Sequence, residues 1–190
     1  GYATGLRTVD TTGFIAAGHI NYPYIRSNAM LFRFDLNGDT LWTCQYPDTI
    51  TNMRTQFWNC NTTSKNGFIG IGYHTVEAYN TDVLIVKTDS IGTEIWRKEY
   101  GVASDNMEQG FSIEQTSDGE YFVGYYHYVA GHDDTGDPIV MKVDSLGNFL
   151  WEVNLGGPYR DFYTQVCMGN DGSYIARTSI SDSTSGDNRY

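Results

Sequence analysis

The chain has 190 residues, 40% of them hydrophobic, which supports a packed core and excludes wholesale disorder. Charged residues are only 18%, and the formal charge of −11 argues against nucleic acid or an anionic membrane as the main partner. No apolar run reaches the roughly 18 residues of a spanning helix, so no membrane insertion is expected.

With 21 Gly against 4 Pro, and aromatics at 15%, the composition suits many short strands joined by tight turns. In chain order the same unit returns. Asp35-Leu-Asn-Gly-Asp-Thr-Leu-Trp42 is followed by Asp89-Ser-Ile-Gly-Thr-Glu-Ile-Trp96 and Asp144-Ser-Leu-Gly-Asn-Phe-Leu-Trp151, with Trp spacings of 54 and 55 residues. A second marker, Gly followed by small and apolar residues, starts at Gly13, Gly67, Gly119 and Gly172, at spacings of 54, 52 and 53. Two markers of one period define a repeat.

Each repeat reads as four strands. In the third, Phe111–Gln115 alternates, Ser117-Asp-Gly119 turns, Tyr121–Tyr126 follows, then Pro138–Val143, a second turn, and Phe149–Val153. The third strands are apolar on both faces, as at Met30–Phe34 and Val83–Val86, and so belong between neighbouring layers. No segment carries the period of an amphipathic helix. Four antiparallel strands per repeat, stacked in series, is the pattern of a β-propeller. The expected fold is all-β: a single partial propeller domain over 1–190, with blades at about 4–47, 53–101 and 106–157 and an incomplete fourth at 159–190.

Three and a half blades do not close a ring. Either the remainder of the propeller lies in a longer polypeptide or a second chain completes it; the break inside a blade favours the first. Each Trp is expected on the outermost strand, docked on the adjacent blade. Arg33, Lys87 and Lys142, two residues before each turn Asp, are expected to form ion pairs inside their blades. Cys44, Cys60 and Cys167 lie in strand-like stretches and read as buried free thiols.

The string Gln115-Thr-Ser-Asp-Gly-Glu-Tyr-Phe-Val-Gly, with Val143-Asp-Ser-Leu-Gly-Asn-Phe-Leu-Trp and Asn154-Leu-Gly-Gly, resembles the repeats of large secreted β-propeller proteins of Bacteroidetes-type bacteria, over residues 6–178. Those proteins are associated with type IX secretion, and the resemblance implies a secreted or cell-surface location. It implies an adhesion, scaffold or carbohydrate-handling role rather than a defined activity. The Asp-x-x-Gly-x-x-x-Trp turn is also similar to the tryptophan-docking repeat of quinone-dependent propeller enzymes, although those usually have one more residue between Asp and Gly.

Candidate chemistry is sparse. There is no Gly-x-Ser-x-Gly elbow and no phosphate loop, so no catalytic residue is assigned and no cofactor is expected. Asp133, Asp134 and Asp137 form an acidic loop in which a Ca²⁺ site competes with plain solvation, and solvation is favoured. Asp35-Leu-Asn-Gly-Asp is read as a turn rather than a Ca²⁺ loop, because its sister turns lack the extra oxygens. Asp followed by Ser or Thr at Thr11, Thr40, Thr49, Ser90, Ser145 and Ser183 resembles the O-glycosylation signal of secreted Bacteroidetes proteins, or simply reflects turn composition.

The stretches joining second to third strands, 19–27, 73–81 and 125–136, occupy 30 residues yet hold seven of the 15 Tyr and all four His. Repeat symmetry places them at one face. Tyr22, Tyr24, Tyr79, Tyr128 and His132 are the expected surface for a carbohydrate or surface-protein partner, while Tyr73, Tyr125 and Tyr126 extend their strands. The resulting expectation is a non-catalytic binding or scaffold module. The alternative is a fragment of a carbohydrate-active or quinone-dependent enzyme.

Overall fold

The computed structural model describes residues 2–23, 26–77, 80–101, 106–129, 136–157, 161–169, 171 and 173–179. All regular structure among them is β. Strands β1 (Tyr2–Val9), β2 (Gly13–Tyr22), β3 (Arg26–Phe34) and β4 (Thr40–Tyr46) form the first sheet. The second sheet holds β5 (Thr55–Thr62), β6 (Phe68–Glu77), β7 (Asn80–Thr88) and β8 (Glu94–Tyr100). The third holds β9 (Asn106–Gln115), β10 (Tyr121–Val129), β11 (Gly136–Val143) and β12 (Phe149–Asn154), and β13 (Phe162–Met168) pairs with β14 (Tyr174–Ser179). Each set of four is an antiparallel meander in chain order. Among the described residues one parallel bridge, Thr81 to Met107, joins the second meander to the third, so that these two four-stranded sheets are the halves of one eight-stranded ladder.

The turn before each fourth strand has one chemistry. Oδ1 of Asp35 accepts the amides of Asn37 and Asp39 at 2.8 and 2.9 Å, and Asp89 and Asp144 do the same for their own turns. Those amides hold all three carboxyls below the usual carboxylate range. Gly38, Gly92 and Gly147 take φ of +89°, +85° and +77°, a region that side chains resist, so glycine is required there.

Alternation along the strands gives each sheet two apolar faces. One face of the first sheet (Ile15, Ala17, Ala29, Leu31, Tyr46) packs on the near face of the second (Phe57, Cys60, Phe68, Leu84, Val86). The far face of the second (Ile69, Ile71, Val83, Ile85) packs on the third (Ile113, Tyr121, Val123, Ile139, Met141, Val143). Adjacent residues such as Phe68 and Ile69 therefore serve different cores. This is why the third strands lack a polar face, each fully buried aliphatic contributing about 1.5–3 kcal/mol.

The two seams are built alike. Trp42 meets Phe68 edge-on at 5.6 Å, and Trp96 meets Tyr121 at 6.0 Å. The Tyr46 hydroxyl donates to the Gly92 carbonyl at 2.8 Å, and that of Tyr100 to Gly147 at 2.6 Å. Each turn glycine lies under the preceding Trp: a Cβ on Gly92 would stand 2.9 Å from Trp42, and one on Gly147 3.1 Å from Trp96. Trp151 is different, 41% exposed and packed edge-on against Phe122 of its own sheet at 5.5 Å.

Three expectations are corrected. Only Lys142 forms the ion pair, with Glu120 at 2.5 Å. Glycines 67 and 13 stand where the third sheet has Glu120, so Lys87 lies instead over the Trp96 and Tyr121 rings and Arg33 bonds the Phe14 carbonyl and Thr12 hydroxyl. Cys60 is buried, but Cys44 is only half-buried, on the face of β4 that meets the Ile91–Gly92 turn of the next sheet, and Cys167 is exposed, its neighbours Val166 and Thr164 taking the buried positions of β13. The second and third strands also continue well into the stretches expected as loops, so His19, His74 and His127 stand on strands.

Candidate binding groove

Strand β10 carries Tyr121, Val123, Tyr125 and His127 on one face, and the last two share a groove with Glu99, Tyr100 and Gly101. His127 pairs across the ladder with Glu108 of β9 and Asp137 of β11. Its Nδ1 lies 2.9 Å from Oε1 of Glu108, a carboxylate only 2% exposed. The contact to Glu108 raises the imidazole above its ordinary value, opposed by burial and assisted by the charges of Asp137 and Glu152. The Tyr125 hydroxyl donates to Oε2 of Glu152 on β12 at 2.9 Å, and burial, reinforced by that contact, drives the phenol far above its ordinary range.

With Glu99 and Tyr100 of β8, these groups line an open groove of about 520 Å³ along the seam between second and third sheets. Phe149, 54% exposed, forms part of its wall, and Asn154 donates to Asp137 at 2.6 Å. Asp82, equivalent to Asp137, is raised by burial first and then by the charges of Glu108 and Glu99. The groove thus offers several carboxylate acceptors, one imidazole and an exposed ring, and is matched to hydroxyl or cationic donors.

A sister groove of about 540 Å³ lies at the preceding seam, bounded by Tyr46, Asp48, Arg97 and Glu99. His74, the counterpart of His127, stands beside it, with Nε2 3.3 Å from Asp48 and Nδ1 3.1 Å from Glu99. Burial alone would lower this imidazole, but the two carboxylates prevail and raise it. Asp48 is itself held far below its usual range: burial opposes this, but the Thr51 hydroxyl and the amides of Ile50, Met53 and Thr51 outweigh it. Arg97 occupies the place of Glu152 and is tied to the Pro47 carbonyl and Glu94, leaving this groove more neutral.

Of the residues singled out in the sequence, Tyr22 is 41% exposed at the end of β2, donating to Gln45 at 3.0 Å. Tyr128 is half-buried on β10, paired with Gly136 and Met107. They stand on the first and third sheets, which are not neighbours. Tyr24, Tyr79, His132, Asp133, Asp134 and Ser183 lie outside the described residues. Asp137 is half-buried, and among the described residues no three His, Cys, Asp or Glu stand close enough to hold a metal ion. Thr11, Thr40, Thr49, Ser90 and Ser145 are all exposed, Ser90 and Ser145 within the Asp-capped turns. Tyr73 and Tyr125 are strand residues, 9% and 8% exposed. The sequence reading missed Glu108 and His127. Repeat alignment carried the signal: His74 faces Asp82 as His127 faces Asp137.

No family model matches the sequence, and no curated protein matches it. Among solved structures, a protein of unknown function from Bacteroides caccae is similar at 13% identity and a TM-score of 0.29. The match covers 80% of this chain and 66% of that protein, so this chain spans just under two thirds of it, and a TM-score so low carries no argument.

Proposed function

We propose that the chain is a non-catalytic binding and scaffold module of a secreted or cell-surface bacterial protein, built as a partial β-propeller, and that it holds carbohydrate in the groove between second and third sheets. The propeller reading is supported by three consecutive antiparallel meanders meeting through one repeated Trp–Gly–Tyr seam. The carbohydrate reading rests on one observation: a groove whose lining combines the exposed Phe149 ring with the carboxylates of Glu99 and Glu152. A ring offers a platform for a sugar face, and carboxylates accept its hydroxyls. The groove runs along the strands, from His127 near the end of β10 to Phe149 beside the turn that precedes β12. Location in the secretory or surface compartment follows the resemblance of the repeats.

A glycan array followed by calorimetry tests this. Binding of a neutral oligosaccharide should weaken about tenfold in Phe149→Ala, corresponding to ~1.4 kcal/mol of ring contact. Affinity should change little with salt, whereas a lysine-rich peptide would lose affinity steeply. Failure of every neutral glycan, or unchanged affinity in Phe149→Ala, removes the reading.

A further inference from the structure

We propose that the open face of the first sheet is a socket for a further four-stranded repeat of the same design, received through a Trp on that repeat's outer strand and a Tyr four residues beyond it. The chemistry of the occupant follows from the two seams already made. At each, the later sheet supplies a turn glycine at positive φ, whose carbonyl accepts a Tyr hydroxyl from the earlier sheet at 2.8 or 2.6 Å. It also supplies an aromatic at the head of its second strand, met edge-on by the earlier Trp.

The first sheet has every receiving part. Gly38 adopts φ +89° in the same Asp-capped turn, and Phe14 stands where Phe68 and Tyr121 stand. The difference is that nothing fills it. A Cβ on Gly38 would meet no atom within 4 Å, whereas Gly92 and Gly147 lie against Trp42 and Trp96. The Gly38 carbonyl receives no donor among the described residues.

The surrounding face confirms that this is an interface pattern rather than a solvated surface. Tyr2, Leu6, Ala16, Phe32 and Phe34 line an apolar depression of about 490 Å³. Leu6 is 58% exposed, while its counterpart Cys60 is 1% exposed beneath the first sheet; Phe32 corresponds to Val86, which is 0% exposed. Positions that are dry at the first seam are thus apolar here and less covered, Leu6 exposed and Phe32 half-buried, which continues an established interface by one step. The inference is independent of any ligand in the groove.

The test is a tandem chain in which a second copy of residues 55–107 precedes residue 1, restoring one repeat period ahead of the first sheet. Docking should slow amide hydrogen exchange over residues 35–42 by about tenfold relative to the parent chain. Leu6→Lys should leave the parent's urea midpoint nearly unchanged but lower that of the tandem, and replacing the Trp of the added copy by Ala should abolish the protection. An unprotected turn in the tandem overturns the proposal. So does a parent chain that dimerises with concentration and is made monomeric by Leu6→Lys, since the occupant would then be a second copy of the chain.

Discussion

The three repeated tryptophans should differ sharply in what they contribute to stability, although the sequence presents them as equals. Trp96 is half-buried, edge-on to Tyr121, covered by Gly147 and flanked by Lys87. Trp42 has the same surroundings one repeat earlier, on Phe68 and Gly92. Trp151 is 41% exposed and has Phe122 of its own sheet as its ring partner. Truncating a fully buried Trp costs about 3–5 kcal/mol. Scaling for partial burial gives about 2–3 kcal/mol for Trp42→Ala and Trp96→Ala, and about 1 kcal/mol for Trp151→Ala. Urea unfolding followed by circular dichroism reads this directly. With a slope of about 2 kcal/mol per molar, the first two variants should lose about 1–1.5 M in midpoint and the third about 0.5 M. A Trp151→Ala variant as unstable as Trp96→Ala would refute the reasoning, because docking on the next sheet's glycine would then contribute nothing.

Three further predictions follow from the same geometry. His74 and His127 are both raised above the unfolded imidazole value, so their stabilisation is complete below about pH 6.5 and is lost as pH rises through the folded values; the melting temperature should fall between pH 6 and pH 8, and His127→Gln should flatten that slope. Gly147→Ala should destabilise by more than Gly119→Ala although both glycines have positive φ, because a Cβ meets Lys98 at 2.7 Å and Trp96 at 3.1 Å in the first and nothing nearer than 3.9 Å in the second; thermal melts would rank them, and equal losses would show that backbone strain alone decides. A thiol reagent should label Cys167 quickly and Cys60 only on unfolding, since Cys60 is 1% exposed with its thiol pushed up to about 12; mass spectrometry of the labelled peptides checks the order.

The sequence by itself determined the repeat, the strand count within it and the turn that closes each unit, because these depend on local periods: two residues along a strand and about 54 along the chain. It also placed Trp42 and Trp96 at a seam, since an amphipathic ring repeated on an outer strand has nowhere else to bury. What it left undetermined lies across strands or across sheets. Arg33, Lys87 and Lys142 look equivalent in the sequence, yet only Lys142 faces a carboxylate, because Glu120 replaces a glycine across the ladder. The stretches rich in Tyr and His read as loops because their turn signals are scattered, but ladder pairing carries β10 out to Val129 and puts His127 beside Glu108. The groove itself belongs to no single repeat: Glu99 comes from one sheet, Glu108, His127 and Glu152 from the next. Only face-to-face packing of the sheets brings those side chains together, because no period along the chain links residues that meet across two repeats.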